Sequence, residues 1–369
     1  MILVVFLVGV IYISIIASFF YGWEKLQRFE TTISDASDVF TSIIVPVRDE
    51  EENIKLLLDD LTSQNYPLEQ FEIILVDDHS SDNSVQLAKE YPASNLKIQT
   101  LPTDSNGKKA ALRLGIQEAK GELIITTDAD CRRGSGWLGT IVSCYLQTKP
   151  VMILAPVLPI KKPRNGLADC LSLEYFSLIG STAGSAAINR PVMSNGANLA
   201  FSRNVYSDIE PVYQQNEIPS GDDVFALLKL KKTYPGKICY LKSPEAAVST
   251  CLSKNITSFF KQRGRWTSKA RYYKDTDVIF TALCVLSVNI LLVYTLGFGI
   301  FLHDFTYFIV LMVIKSLIDF PFLYRVTSFF NQTRLMLWFP LVQSVYFLYV
   351  CITIFIAAFL PNSWKNRKI

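Results

Sequence analysis

Long apolar runs occur at both ends of this chain and enclose a polar middle. Residues 2–21 form a run of roughly 20 mostly apolar residues, which is long enough to cross a bilayer. Further candidate segments lie near the C-terminus, at about residues 278–302, 305–324 and 335–360. Because such segments are stable in lipid, the pattern predicts a polar domain held between membrane segments.

A cleaved signal peptide is the alternative interpretation of the first run. Such a peptide starts with basic residues and ends in small ones. Here no Lys or Arg precedes the run, which closes on Phe19, Phe20 and Tyr21, so we favour a permanent anchor. Lys25 and Arg28 follow it, which predicts that this end of the helix lies in the cytoplasm.

The charge distribution leaves the last membrane segment ambiguous. Basic residues between 325 and 334 predict a cytoplasmic loop there, which would place the tail residues Lys365, Arg367 and Lys368 outside if all three segments span. Either one segment is re-entrant or the tail is an exception.

From these patterns we predict four regions. They are a transmembrane helix over 1–22, a cytoplasmic domain over 40–250, an interfacial helix over 251–275 and a membrane domain of about three helices over 276–362. A second interfacial helix is expected at 167–188. Lys315 and Asp319 lie four residues apart in a membrane segment, where they can neutralise each other or contact a lipid headgroup or glycan.

The net charge and the cysteine spacing argue against nucleic-acid binding and against a disulfide framework or zinc site. The net charge is +3 and no long basic run is present, so nucleic acid is not expected as a partner. The seven cysteines are scattered and form no C-x-x-C motif. This distribution is typical of reduced thiols rather than of a disulfide framework or a zinc site.

The polar middle alternates β-rich runs with helix-like segments. The predicted strands are 42–47, 72–76 and 122–127, and the predicted helices are 53–63, 84–90 and a segment from about residue 136. Such alternation predicts an α/β fold with a doubly wound, parallel sheet. Pro46 cannot donate to a strand ladder, so we expect the first strand to end there.

Acidic residues follow each predicted strand. The three groups are Arg48-Asp49-Glu50, Asp77-Asp78 and Asp128-Ala129-Asp130. Ligands of such sheets bind beyond the carboxyl ends of the strands. Clustered carboxylates repel one another unless a cation is present, and Mg²⁺ or Mn²⁺ takes oxygen ligands and bridges to substrate phosphates. A lone D-x-D is also found in ordinary polar turns, so this pattern alone leaves both interpretations open.

An ordered series of motifs resembles the family-2 glycosyltransferases. The motifs are TSIIVPVRDEEENI, EIILVDDHSSDNS, NGKKAALRLGIQEAKGELIITTDADC, SNGANLAF, SGDDVFALL and QRGRW. The last is similar to the Q-x-x-R-W element of cellulose, chitin, hyaluronan and poly-N-acetylglucosamine synthases and of ceramide glucosyltransferase. The resemblance covers about residues 41–270. It implies a GT-A type, mixed but mostly parallel sheet with transmembrane helices at both ends, in a bacterial inner membrane.

The same resemblance implies a nucleotide-sugar donor and names its site. The implied donor-binding residues are Pro46, Arg48, Glu50, Asp77, Asp78, Lys108, Asp128, Asp130 and Arg265. Asp77 and Asp78 would hold the uracil and ribose of UDP. Asp128 and Asp130 would bind Mg²⁺ or Mn²⁺ and the diphosphate, with Lys108 adding positive charge. Arg113 stands where the family usually has Asn, so we assign it no contact with the donor on the basis of the resemblance.

For catalysis, the resemblance points to Asp223, with Asp222 beside it, as the general base that takes the proton from the acceptor hydroxyl. Attack of that oxygen from the face opposite UDP would invert the anomeric configuration. Both acids also suit the start of a helix, which is the alternative. Arg265 would stabilise the leaving diphosphate, because its planar fork matches phosphate oxygens. The implied acceptor-binding residues are Asn195, Gly196, Ala197, Asn198, Gln262 and Trp266. Trp266 is equally suited to anchoring at the membrane interface.

Three functions are compatible with these motifs. A transferase that adds one sugar to a lipid is favoured, because four membrane segments at most is few for a polymer channel. A processive synthase of a β-linked polysaccharide is the alternative. The acceptor would be a lipid in the first case and a growing glycan in the second. A non-catalytic scaffold is disfavoured, because Asp78, Asp130, Asp223 and Arg265 are all present.

Overall fold

The computed structural model describes residues 2–31, 39–160, 166–214, 221–253, 255–359, 363–364 and 367–368. Ser220 of the SGDDVFALL motif and Lys365 of the basic tail lie outside these residues. The chain divides into two compact units. The membrane unit comprises Met1–Lys25, Lys161–Val192 and Leu252–Ile369, and the sheet unit comprises Leu26–Ile160 and Met193–Cys251.

The sheet unit contains a seven-stranded sheet and a three-stranded sheet. In chain order the strands are β1 (Thr41–Val47), β2 (Phe71–Asp77), β3 (Leu96–Thr100), β4 (Leu123–Thr127), β5 (Arg132–Arg133), β6 (Met152–Leu154), β7 (Val157–Pro159), β8 (Asn198–Ser202), β9 (Ile238–Tyr240) and β10 (Val248–Thr250). The large sheet has the order β3-β2-β1-β4-β8-β6-β9, and the small one has the order β5-β10-β7.

Strand directions make the large sheet mixed but mostly parallel. Strands β1, β2, β3 and β4 are parallel neighbours, β8 is antiparallel to β4 and to β6, and β9 is parallel to β6. The predicted fold class is therefore confirmed. Strands β1 and β2 read as nearly continuous apolar runs because both faces of a central parallel strand are covered.

Pro46 does not end the first strand, contrary to expectation. Strand β1 continues to Val47 and pairs with β2 along its whole length, whereas its pairing with β4 stops at Ile44. At Pro46 the strand therefore has a neighbour on one side only, and a residue without an N–H is tolerated there.

Helices connect the strands of the sheet unit and fill the membrane unit. Those of the sheet unit are α2 (Ile54–Thr62), α3 (Ser84–Lys89), α4 (Lys108–Glu118), α5 (Trp137–Thr148), α7 (Tyr206–Gln214) and α8 (Asp222–Thr233). Those of the membrane unit are α1 (Ile2–Lys25), α6 (Gly166–Ala187), α9 (Ile256–Thr267), α10 (Thr276–Leu302), α11 (Thr306–Phe329) and α12 (Phe339–Phe359). Two short strands, β11 (Ser363–Trp364) and β12 (Arg367–Lys368), pair with each other.

Four segments among the described residues are long and apolar enough to cross a membrane. They are Ile2–Lys25, Thr276–Leu302, Thr306–Phe329 and Thr333–Phe359, so one lies near the N-terminus and three lie near the C-terminal end. Helix α6 is not among them, yet it packs closely on α1. A Cβ built on Gly22 would stand 2.1 Å from the Gly184 carbonyl oxygen, so only glycine permits this helix crossing.

The two charged residues of α11 neutralise each other inside the membrane unit. The Lys315 ammonium contacts the Asp319 carboxylate, and both side chains are buried. The Tyr12 hydroxyl donates to Asp319 Oδ1 at 2.8 Å, and Gln343 Nε2 donates to Asp319 Oδ2 at 3.1 Å. Of the two alternatives drawn from the sequence, this arrangement supports mutual neutralisation.

Candidate active site

The carboxyl ends of β1, β2 and β4 bring the predicted donor residues to one edge of the sheet. The register pairs Val47 with Asp77 and Ile44 with Thr126, so residues 48, 78 and 128 follow strand ends that lie side by side. This is the edge at which doubly wound folds bind ligands.

Asp78 is held by an arginine from the neighbouring strand end. The Arg48 guanidinium donates to the Asp78 carbonyl oxygen at 2.7 Å and lies 3.5 Å from its carboxylate. The Asp78 side chain is 2% exposed, and that of Arg48 is 15% exposed. Asp77 differs, because its Oδ1 accepts the Ser80 N–H at 3.1 Å and thereby shapes its own loop. Among the described residues, Asp78 is therefore the member of the Asp77-Asp78 pair that contacts a cation.

The loops after β1 and β2 are joined by reciprocal hydrogen bonds. Asp49 Oδ1 accepts the Ser81 N–H at 2.7 Å, and the Asp49 N–H donates to Ser80 Oγ at 3.0 Å. One residue further, the Glu50 N–H donates to Ser84 Oγ at 2.7 Å. The hydrogen bond from the Ser81 backbone is the main reason that the pKa of Asp49 lies below its ordinary value. Asp49 therefore braces the loop, which the sequence motif did not reveal.

Asp130 lies in a crowded, negatively charged part of this edge. Its pKa is raised, first by desolvation and then by the charges of Asp128 and Glu50, while Lys108 opposes the rise. Its side chain is nevertheless exposed to solvent. An accessible carboxylate that is disfavoured by neighbouring carboxylates is a good ligand for an added cation.

Lys108 connects the two acidic groups of the site. Its Nζ lies 2.5 Å from Asp128 Oδ1, and its side chain is 29% exposed. Burial alone would lower the pKa of Lys108, but Asp128, Asp222 and Asp223 outweigh it and raise that pKa. Lys108 therefore stays charged and lies in the combined field of the predicted metal ligands and the predicted base.

Asp223 is positioned by the SNGANLAF segment. Its Oδ2 accepts the Gly196 N–H at 3.0 Å, and its Oδ1 accepts the Val224 N–H at 2.9 Å. Gly196 is tied in turn to β4, because the Thr126 hydroxyl donates to its carbonyl oxygen at 3.0 Å. These bonds link Asp223 to the sheet edge that carries Asp128.

Two glycines with positive φ place these charged side chains. Gly107 (φ +91°) directly precedes Lys108, and Gly221 (φ +96°) directly precedes Asp222. This conformation lets the chain turn sharply into α4 and α8, and glycine adopts it at little steric cost. Asp222 and Asp223 then occupy the first turn of α8, where the helix dipole favours negative charge. The helix-start interpretation of this pair is thus compatible with the catalytic one.

Asn198, which was predicted to bind the acceptor, is a structural residue. It lies in β8 with 1% exposure. Its Nδ2 donates to the Pro156 and Ala246 carbonyl oxygens, both at 2.8 Å, and its Oδ1 accepts from Trp137 Nε1 at 3.0 Å. The amide group is fully used within the protein, so it has no donor left for an acceptor.

The neighbouring predicted acceptor residues form the turn before β8. Asn195 Oδ1 accepts the Ala197 N–H at 3.1 Å, and Ala197 is buried. A part in acceptor binding stays a prediction for Asn195, Gly196 and Ala197. It also stays a prediction for Gln262 and Trp266, and the donor-binding role of Arg265 stays one too; all three residues lie on α9 in the membrane unit.

The donor set suits a divalent metal that arrives with a phosphate ligand. Within the described part of the chain, no group of three or more Asp, Glu, His or Cys side chains is arranged to hold a metal. Mg²⁺ in phosphate-transferring sites is typically held by one or two carboxylates together with substrate phosphates. Asp128 and Asp130 meet that requirement. The pKa of Asp130 is raised first by desolvation and then by the charges of Asp128 and Glu50, and a bound cation would offset both causes.

Two further arginines near this edge were missed from the sequence. Arg132 forms a two-pronged ion pair with Asp60, in which Nε and Nη2 each lie 2.7 Å from a carboxylate oxygen. Arg133 is buried, donates to Thr127 Oγ1 at 3.1 Å and to the Cys131 carbonyl oxygen at 2.9 Å. Burial lowers the pKa of Arg133 to about 10. Their position directly after D-x-D-C was the only signal in the sequence.

This mixed, mostly parallel sheet with flanking helices is of the GT-A type, and part of the chain matches a known family. Residues 42–194 match the model of glycosyl transferase family 2. Glycosyltransferase AglE of Haloferax volcanii is 28% identical over 186 residues, which are 50% of this chain and 59% of that protein. Residues 42–194 therefore form a family-2 glycosyltransferase domain.

Two more comparisons extend this result. The undecaprenyl-phosphate 4-deoxy-4-formamido-L-arabinose transferase of Yersinia pestis is 43% identical over 93 residues, which are 24% of this chain and 28% of that protein. This chain thus spans less than two thirds of the curated relatives described here. The structure of mannosyltransferase PcManGT from Pyrobaculum calidifontis, in complex with GDP-Man and Mn²⁺, aligns with a TM-score of 0.55 at 16% identity. It covers 95% of this chain and 99% of that chain, and it supports the fold alone.

Proposed function

We propose that this protein is a membrane-anchored, inverting glycosyltransferase that moves a sugar from a nucleotide donor, expected to be a UDP-sugar, to a lipid acceptor at the cytoplasmic face. The observation that carries this proposal is the position of Lys108. It contacts Asp128 and lies in the field of Asp222 and Asp223. The Lys108 ammonium therefore interacts both with an acid proposed to bind the metal and diphosphate and with the acids proposed to act as the base, which supports binding of donor and acceptor close together.

Each residue of the site would have a separate task. Asp78, held by Arg48, accepts hydrogen bonds from the nucleoside, because carboxylates accept N–H and O–H donors well. Asp223 takes the proton from the acceptor hydroxyl as that oxygen attacks the anomeric carbon from the face opposite the nucleotide. Lys108 offsets the negative charge that gathers on the leaving diphosphate. Mg²⁺ or Mn²⁺ held by Asp128 and Asp130 supplies further positive charge to the diphosphate when it is bound.

The name of one relative supports a lipid acceptor, and a glycan acceptor stays the alternative. The name of the Yersinia protein specifies undecaprenyl phosphate as its acceptor, and PcManGT was solved with GDP-Man rather than a UDP-sugar. The four helices capable of spanning a membrane that occur among the described residues suit single addition to a lipid better than a polymer channel. The processive synthase remains the alternative, and product size separates the two.

A panel of labelled nucleotide sugars tests the proposal. Purified protein is incubated with UDP- and GDP-sugars and with diacylglycerol or undecaprenyl phosphate in mixed micelles, and lipid and polymer fractions are extracted separately. We expect label in the lipid fraction as a single species. A ladder or high polymer would support the synthase instead, and no transfer from any donor would contradict both.

Removal of divalent metal should abolish turnover reversibly. Because two carboxylates and a diphosphate share a small region, loss of the cation leaves uncompensated negative charge at the leaving group. We expect a loss of at least about 100-fold with EDTA and recovery with excess Mg²⁺ or Mn²⁺. Initial rates measured across a metal titration provide the check. Full activity after exhaustive chelation would remove Asp128 and Asp130 from the metal role.

Lys108→Met should weaken donor use strongly. A hydrogen bond to a charged group contributes roughly 1.5–3 kcal/mol, so kcat/KM for the donor should fall by about 10- to 100-fold. Lys120→Met is a matched control, because Lys120 is an exposed lysine beyond the far end of α4. Equal kinetics in the two variants would show that Lys108 has no special function.

A further inference from the structure

The two variable positions of the Q-x-x-R-W element are the residues that anchor its helix. Helix α9 starts at Ile256 behind an Asn255 capping box and carries the whole element. Within Gln262–Trp266, the buried residues are Arg263 and Gly264, whereas Arg265 and Trp266 are half-buried. The variable positions therefore face the rest of the membrane unit.

Arg263 forms a two-pronged ion pair with Glu174 of α6. Its Nε donates to Glu174 Oε1 at 3.0 Å and its Nη2 lies 2.5 Å from Oε2. The Tyr349 hydroxyl of α12 donates to the same Oε1 at 3.0 Å. Arg263 and Glu174 are 4% and 6% exposed, so the pair is sequestered from water. Such paired geometry is specific, because both hydrogen bonds fail if the guanidinium rotates.

The same guanidinium contacts both residues of the element that are predicted to bind the acceptor. Its third nitrogen, Nη1, donates to Gln262 Oε1 at 3.3 Å. Its carbon lies 4.2 Å from the centre of the Trp266 ring, a cation–π contact. Gln262 also accepts from Ser253 Oγ at 3.3 Å. Arg263 thus connects the buried Glu174 to the indole and the amide on its own helix.

Gly264 fixes the same helix against α12. A Cβ built on Gly264 would stand 2.7 Å from Ile356 Cγ2. A side chain here would displace Ile356, so the close approach of α9 to α12 favours glycine at this position. Together, the ion pair to α6 and this contact to α12 restrain rotation of α9 about its axis.

We propose that Arg263 is a positioning residue that sets the orientation of Trp266, with Glu174 as its buried anchor. This inference rests on the proposed function only in treating Trp266 as part of the acceptor site. Arg263 covers one face of the indole, so an acceptor ring or lipid headgroup can stack only on the opposite face. Losing the pair frees the indole and reduces acceptor binding.

The test removes both charges together, because a single neutralisation would leave a buried charge unpaired. Arg263→Met/Glu174→Gln is compared with Tyr349→Phe, which removes one hydrogen bond to Glu174 and keeps the contact between Arg263 and Trp266. Both are labelled with 5-fluorotryptophan. The chain has five tryptophans, and the ¹⁹F resonance of Trp266 is assigned by its loss in Trp266→Phe.

We expect the Trp266 resonance to move in the double variant and to stay in place in Tyr349→Phe. The resonance of Trp338, whose indole donates to Asp169 at 3.1 Å in the same unit, serves as the folding control and should be unchanged. An unmoved Trp266 resonance in a folded double variant would overturn the proposal. Arg263→Lys keeps the charge and loses the fork, so it should give an intermediate shift.

Kinetics separate positioning from general stability. With diacylglycerol as the acceptor probe, the double variant should raise the acceptor KM by roughly tenfold or more while the donor KM stays nearly constant. In a Trp266→Leu background, the same two changes should have little further effect on acceptor KM. If the double change and Trp266→Leu instead raised the acceptor KM by factors that multiply, Arg263 would not act through Trp266. If the wild type shows no transfer, the proposed function fails, and the ¹⁹F result still decides this inference.

Discussion

Asp223→Asn is expected to reduce kcat by about 100- to 10,000-fold, which is the range for loss of a general base. The Asp223 carboxylate accepts two backbone N–H groups, from Gly196 and Val224. These bonds hold the carboxylate in place at the start of α8. Asparagine has nearly the same shape and can keep one of these two hydrogen bonds, because it has a single acceptor oxygen, but it cannot act as a base. We therefore expect substrate binding to change far less than kcat.

The size of this effect also reports on the acceptor. A hydroxyl must lose its proton as it attacks, whereas a phosphate group, with a second pKa near 6, is already largely deprotonated at neutral pH. The full loss is therefore expected with diacylglycerol, and a much smaller one with undecaprenyl phosphate. Rates at saturating donor with each acceptor provide the measurement.

Asp208→Asn is the matched control for this prediction. Asp208 lies on α7 of the same unit and accepts the Tyr234 hydroxyl at 2.8 Å, away from the proposed machinery. We expect its kcat to stay close to that of the wild type. If Asp223→Asn retains wild-type turnover with a hydroxyl acceptor, another residue must be the base.

Lys315→Met is expected to destabilise the membrane unit by about 3–5 kcal/mol, the usual effect of breaking a buried ion pair. The Lys315 side chain is 3% exposed and contacts Asp319. Tyr12 and Gln343 hydrogen bond to the same carboxylate, but neither supplies positive charge. Without Lys315, Asp319 must either stay charged in an apolar bundle or take up a proton.

A double variant shows whether the loss comes from the unpaired charge. Lys315→Met/Asp319→Leu removes both charges and restores apolar packing, so it should be markedly more stable than Lys315→Met alone. Thermal unfolding in detergent, followed by intrinsic fluorescence, measures the difference. A double variant that is less stable than the single one would show that the residues contribute separately rather than as a pair.

Much of the site could be predicted from the sequence because its residues lie next to strand ends. Runs such as EIILV predict a buried strand, and the residue after a parallel strand must lie at the ligand-binding edge. The position of Asp77-Asp78 and of Asp128 at that edge follows from this rule, whereas their roles come from the resemblance. The long apolar helices were predictable for a similar reason, since length and composition suffice to identify a segment that can span a membrane.

Hydrogen-bond partners could not be predicted in this way. Asn198 stands in a motif that implied acceptor binding, yet its amide is used by Trp137 and two backbone carbonyls. Asp49 stands among acids that implied ligand binding, yet it braces the adjoining loop. Both partners come from segments that are distant in sequence, so spacing carries no information about them.

The sequence by itself determined the class of fold, the membrane segments and the strand-end acids, because each depends on local pattern. Only the tertiary structure decided which charges meet. It paired Lys108 with Asp128 and placed it in the field of Asp223, and it paired Arg263 with Glu174, 89 residues away. A buried charge must find a partner, since leaving it unpaired costs several kcal/mol. The need for a partner is thus visible in the sequence, but its identity depends on how distant segments pack.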